Sequence, residues 1–137
     1  MSDGTFQLKV FSGRGLEVEA RVSTVTVPSE TGELGFLENH SDYVGLIATG
    51  VTQYVDSSDN TNKKCIVSGG ICTFSNNVLT LLADTVDHPQ DIGTVKVSND
   101  EIALMEAELE QLSLFDPAWE ALSQKVARLN AIKGMMQ

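Results

Sequence analysis

The apolar residues of this 137-residue chain change period near residue 98, and no other feature restricts its fold as much. Upstream, apolar and polar residues tend to alternate and glycines punctuate the runs, the pattern of half-buried strands. Downstream, apolar residues recur at spacings of three and four, the pattern of amphipathic helices. Neither period serves the other structure, because side chains alternate faces along a strand and spiral around a helix. The chain therefore reads as α+β: an antiparallel β-sandwich over 1–90, a linker over 91–97 and an antiparallel helical hairpin over 98–137.

In the first part, Phe6, Leu8 and Val10 share one face of a strand over 5–11, and Gly13-Arg14-Gly15 turns the chain. Along 16–28, Leu16, Val18, Ala20 and Val22 alternate with Glu17, Glu19, Arg21 and Ser23. Val25 and Val27 then shift the phase by one, which predicts a bulge or a bend between sheets. Short strands are predicted at 44–48, 51–55, 64–67, 71–75 and 78–82. The polar run 56–62 reads as a hairpin tip, Ser68-Gly69-Gly70 as a turn, and Asn76-Asn77 as a two-residue turn. Many short strands at regular spacing make a sandwich.

The helical part opens on Ser98-Asn99-Asp100-Glu101, a capping box in which Ser98 accepts from the Glu101 N–H. Ile102, Met105, Leu109 and Leu112 form one stripe. Asp116-Pro117 starts a second helix, with Asp as N-cap and Pro in the first turn. Leu122, Val126, Leu129 and Ile132 form the matching stripe, and Gly134 is the expected stop. Each stripe is narrow, so the two are expected to pack on each other with little left for a second surface. Trp119 is expected to fold back onto the facing helix.

Composition narrows the function. A net charge of −10 repels phosphate backbones and argues against nucleic acid as a partner. It serves solubility or a basic partner. No apolar run approaches the ~20 residues of a membrane span. The N-terminal residues lack the plan of a signal peptide, so a cytosolic location is expected. Cys65 and Cys72 form no C-x-x-C pair and read as buried apolar residues. His40 and His88 are the two histidines, with no carboxylate at metal-ligand spacing, so no metal site or cofactor is expected. No nucleophile–base spacing suggests catalysis.

What remains is docking. The run Thr31-Gly32-Glu33-Leu34-Gly35-Phe36-Leu37-Glu38-Asn39-His40 reads as a tight glycine-bracketed loop holding up a charge, apolar knobs and a histidine. Glu33, Leu34, Gly35, Phe36 and His40 are the candidate partner contacts. On these grounds alone, a stand-alone acidic β-sandwich module with a helical dimerisation hairpin is the rival reading.

Three segments in order resemble the epsilon subunit family of the F-type ATP synthase. They are Gly32-Glu33-Leu34-Gly35 with His40, Ser68-Gly69-Gly70 after a β-run, and Leu82-Ala83-Asp84-Thr85-Val86 with Asp91 downstream. The resemblance is good over about residues 5–92. It implies a sandwich of about ten strands, a C-terminal helical hairpin and a non-catalytic role in the central stalk. There the sandwich would bind gamma and its lower edge would rest on the ring of c subunits, the G-E-L-G loop would lie at that foot with Glu33 and His40 as ring-side or gamma-side contacts, and the hairpin would reach the alpha/beta head. Ion-driven rotation of the ring would couple through gamma to ATP synthesis. The complex would hold the subunit peripherally on the cytoplasmic side of the plasma membrane.

The second part departs from the family. Where members carry I/L-D-x-x-R-A, and some bind ATP, this chain has Asp91-Ile92-Gly93-Thr94-Val95-Lys96-Val97. On the last helix only Arg128 stands where the family has an arginine, and Gln124 stands near the other. Glutamine and lysine cannot copy a bidentate guanidinium–phosphate contact, so ATP binding is not expected. Residues 98–137 carry three basic against seven acidic residues. The family's inhibitory helix approaches an acidic segment of beta, so repulsion predicts weak or no inhibition.

Overall fold

The computed structural model describes residues 4–89, 99–113 and 115–136. Among these run β1 (Phe6–Ser12), β2 (Gly15–Ser29), β3 (Gly32–Leu37), β4 (Tyr43–Leu46), β5 (Gly50–Asp56), β6 (Thr61–Ser75), β7 (Val78–Asp87), α1 (Asn99–Gln111) and α2 (Pro117–Met136). The strands lie in the order β1-β7-β6-β5-β2-β3. β4 pairs with β6, and β2 pairs back onto β1, so the path closes on itself.

The described strands number seven, fewer than the expected ten, and the reason is strand length. β2, β6 and β7 each bend and serve both halves of the sandwich. The first part of β2 pairs with β1 and its second part with β3 and β5. β6 pairs with β5 up to Val67 and with β4 from Ile71, while β7 follows it along the other edge. The phase shift in β2 is a bulge: its register against β5 slips between Val22 and Thr24. Such a slip bends the strand and returns Val25 and Val27 to the core.

Two local readings need correction. Ser68-Gly69-Gly70 does not turn the chain: it kinks β6, which continues from 64–67 into 71–75 as one strand. Gly69 (φ 67°) and Gly70 (φ 118°) supply the kink in the left-handed region. A Cβ on Gly70 would collide with the Leu82 carbonyl oxygen. The G-E-L-G run is likewise no loop. It lies within edge strand β3, with Glu33 opposite Pro28 and Gly35 opposite Thr26. Only Gly32 has positive φ, at the turn out of β2.

The expected two-residue turn is present: Asn76 and Asn77, both at positive φ, join Ser75 to Val78. β1 runs parallel to β7, the one parallel pair among the described strands and a departure from the all-antiparallel expectation. A hairpin forces antiparallel pairing only on strands adjacent in the chain, and these are not. The core gathers Phe6, Leu8 and Val10 with Val25, Val27, Phe36, Phe74, Leu79 and Leu81, all buried.

α2 begins as expected, with Asp116 Oδ1 accepting from the Ala118 N–H at 2.9 Å. It runs through Gly134 to Met136, so that glycine is no stop. α2 also has a second packing face. Ile132 is fully buried against Ile66 of β6, with Val51 and Ala131 beside them. The capping box at Ser98 and the linker over 91–97 lie outside the described residues.

Candidate functional site

The five candidate contacts on and after β3 divide by depth. Glu33 and Gly35 are exposed, Leu34 is half-buried against the core, and Phe36 is 2% exposed. The Phe36 side chain therefore builds the strand rather than presenting a surface. His40 packs on Phe36, Tyr43 and Phe74 in one aromatic cluster, with centroids 4.9, 6.5 and 5.4 Å away. Its Nδ1 lies 2.7 Å from the Ser41 carbonyl oxygen. Asn77 Oδ1 accepts from the Asn39 N–H at 2.7 Å, and its amide donates to the Thr5 carbonyl. The end of β3 is thus tied to the start of β1, and this edge has a fixed shape.

A larger surface emerges from strand register. Leu46 pairs with Ile71, Ile71 with Leu82, Leu82 with Phe11, and Phe11 with Leu16. Paired residues point to the same side of a sheet, so these five form one apolar row across five strands. Phe11 is half-buried, and the other four are 42–61% exposed. Val44 adds an exposed apolar side chain at one end. Contiguous apolar rows of this kind mark interaction sites. Sequence reading missed this one because its members lie up to 71 positions apart and meet only through register.

The hairpin meets the sandwich through polar contacts as well. Arg128 Nε and Nη2 donate to the two carboxylate oxygens of Asp87, each at 2.7 Å. That bidentate pair raises the guanidinium pKa still further. Gln124 Nε2 donates to Asp84 Oδ2 at 3.4 Å. Arg128 is paired with a carboxylate of its own chain.

Nearby, His88 Nε2 lies 3.0 Å from Glu17 Oε2, and Arg14 donates to the same oxygen at 3.1 Å and to the Val86 carbonyl. Burial alone would raise the Glu17 pKa, but the His88 hydrogen bond and the Arg14 charge outweigh it and hold the carboxyl below its usual value. Glu17, Glu19, Asp56, Lys63 and His88 line an open groove of about 790 Å³ with mixed charge. Trp119 lines the groove between the helices with Leu109 and Val126, facing α1 as expected. Among the described residues no three His, Cys, Asp or Glu side chains group to hold a metal. No helix among them is long and apolar enough to cross a membrane.

A bent sandwich with an exposed apolar row and a shaped edge, carrying a docked helical hairpin, defines a subunit built to meet other proteins through surfaces. Residues 5–89 match the family model of the ATP synthase delta/epsilon chain β-sandwich domain. The ATP synthase epsilon chain of Desulfitobacterium hafniense (strain DSM 10664 / DCB-2) is 32% identical over 134 residues, covering 95% of this chain and 98% of its own. That of Bradyrhizobium sp. (strain ORS 278) is 27% identical, covering 97% and 93%.

The fold is similar to a chain in the Euglena gracilis mitochondrial ATP synthase, with a TM-score of 0.72 at 13% identity, covering 100% of this chain and 84% of that one. A chain in the Tetrahymena thermophila mitochondrial ATP synthase central stalk and c-ring gives 0.65 at 9% identity, covering 96% of both. The chain belongs to the ATP synthase epsilon-chain family, the non-catalytic central-stalk subunits of the F-type enzyme.

Proposed function

We propose that this subunit clamps gamma through the apolar row Leu46–Ile71–Leu82–Phe11–Leu16 and rests its β3 edge on the c-ring. Coupling needs a part that transmits torque without slipping, and a sandwich closed by pairing of β2 to β1 is such a part. The single observation that carries the gamma contact is the row itself. Burying a half-exposed leucine or isoleucine gains about 1 kcal/mol. Five such contacts offer roughly 5 kcal/mol toward association, to which polar rim contacts add.

At the other surface, Glu33 and Gly35 with the outer parts of Leu34 and His40 face the ring, and buried Phe36 fixes their spacing. The hairpin rests on the sandwich through Arg128 and Ile132 and contributes little inhibition at the alpha/beta head. The domain division follows the same lines: the sandwich over 1–90 couples, the segment 91–97 links, and the hairpin over 98–137 docks. The assembled enzyme holds the subunit peripherally on the cytoplasmic side of the membrane.

The test is capture of purified gamma by the wild-type chain, by Ile71→Glu/Leu82→Glu and by Glu33→Ala/His40→Ala. Both substituted positions in the row are exposed, so the sandwich survives and circular dichroism will show it. The row variant is expected to lose gamma binding at least tenfold, while the foot variant keeps it. Unchanged gamma binding by the row variant would remove the row from this interface. No binding by the folded wild type at micromolar gamma would overturn the central-stalk contact.

A further inference from the structure

The apolar row borders a cleft that holds one charge. Asp84 follows Leu82 by two residues on β7, both are exposed, and alternate residues of a strand share a face. The carboxylate therefore stands on the side of the row, about 7 Å along the strand from it. Beside the two residues opens a cleft of about 390 Å³, lined by Phe11, Ser12, Gly13, Leu82, Ala83 and Asp84. Phe11 and Leu82 belong to the row, so the cleft continues it.

Asp84 is the one charged residue in that lining. Among the described residues no cation pairs with it. Arg14 and Arg128 line a second cleft with Asp84 but are held elsewhere. Arg14 donates to Glu17 and to the Val86 carbonyl, and Arg128 to both oxygens of Asp87. Among the described residues the Asp84 carboxylate accepts only from Gln124 Nε2, on Oδ2 at 3.4 Å, long for a hydrogen bond. The neighbouring strand makes room for it: a Cβ on Gly69 would lie 2.8 Å from Asp84 Oδ2.

We infer that this cleft seats a cationic side chain of gamma, with its aliphatic stem on Phe11 and Leu82 and its charged head on Asp84. Lysine and arginine cover apolar surface with their stems while the head reaches a polar group. A carboxylate at the end of such a path accepts a charge-assisted hydrogen bond. The inference rests on the assignment of the row to gamma and adds register to it. Apolar burial has no direction, whereas a charge pair at one end of the row fixes where the two surfaces stop.

Purified gamma is titrated with the full chain from about 0.05 to about 0.5 M salt. Asp84→Asn keeps an acceptor for Gln124 and removes the charge. It is expected to weaken binding at least fivefold at low salt and to flatten the salt dependence. Gln124→Ala and Glu108→Gln are expected to bind as the wild type does. The first releases the hairpin contact, and the second removes one charge far from the cleft. Ile71→Glu, outside the cleft, is expected to lose gamma at every salt concentration. Wild-type affinity and salt slope in Asp84→Asn would overturn the inference and leave the row standing. An equal loss in Gln124→Ala would trace the effect to the hairpin, and an equal loss in Glu108→Gln to bulk charge; either would overturn it. Normal binding by Ile71→Glu would remove the row, and this inference with it.

Discussion

At the residue scale, Asp56 controls the tip of the β5–β6 hairpin. Lys63 Nζ donates to it at 2.9 Å, and the Ser58 backbone N–H and hydroxyl donate to its other oxygen. The Lys63 bond first, and the Ser58 bonds after it, lower the carboxyl from 3.8 to about 2. A carboxyl that is more acidic folded than unfolded contributes stability above its unfolded value and loses it as pH falls through the folded one. The loss therefore runs from about pH 4 down to about pH 2. Asp56→Asn is expected to flatten that limb in urea midpoints taken from pH 5 to pH 2; parallel curves would show that the carboxyl plays no part.

Other single residues act by burial and by backbone geometry. Burial, with the Glu17 and Asp87 charges adding, pushes the Cys65 thiol up to about 12. Burial also raises Cys72. Both cysteines are free and buried, so neither is expected to react with a chromogenic disulfide reagent at pH 8 until the protein is denatured. Gly70→Ala places a Cβ on the Leu82 carbonyl at positive φ and is expected to cost about 3 kcal/mol in denaturant unfolding. An alanine that cost under about 0.5 kcal/mol would show that the β6 kink relaxes freely.

At the element scale the hairpin is held by few groups. α2 rests on the sandwich through Ile132, the Arg128–Asp87 pair and the Gln124–Asp84 contact. Arg128 is about one-third exposed, so the pair is worth only about 1 kcal/mol after screening by solvent. Asp87→Asn is expected to raise amide exchange along α2 about fivefold while the strands keep their protection. Equal exchange in both proteins would mean that Ile132 and the Gln124–Asp84 contact dock the helix without the ion pair. Both helices are readable from their period, and the start of α2 also from its Asp116 cap, since each signal acts within a few residues. The second face of α2 was not, because Ile132 satisfies an interhelix stripe as well as a contact with Ile66. Only the position of the sandwich chooses between them.

At the scale of the whole molecule, the sandwich and the hairpin differ in how they are held. The sandwich is closed by backbone pairing through β2 and β1, and its core is continuous. The hairpin adds one small buried cluster around Ile66 and Ile132. Stability is therefore uneven, and the hairpin is expected to release first. Trp119, the single tryptophan, reports from the groove between the helices. Its fluorescence transition on heating is expected several degrees below the loss of β-signal in far-ultraviolet circular dichroism. Coincident transitions would show one cooperative unit.

The sequence by itself determined the division into β and α parts, the bulge in β2, the Asn76-Asn77 turn and the Asp116 start of α2. Each depends on residues within a few positions of one another, where period, capping and left-handed asparagine act locally. It also carried the ordered motifs that resemble the epsilon family. Tertiary structure alone decided that the ten expected strands are seven among the described residues, because long strands bend through both halves at a bulge or a glycine kink. It alone turned G-E-L-G from a loop into an edge strand, since pairing with β2 decides the backbone there. It alone assembled the apolar row, because register brings together residues that no sequence window contains.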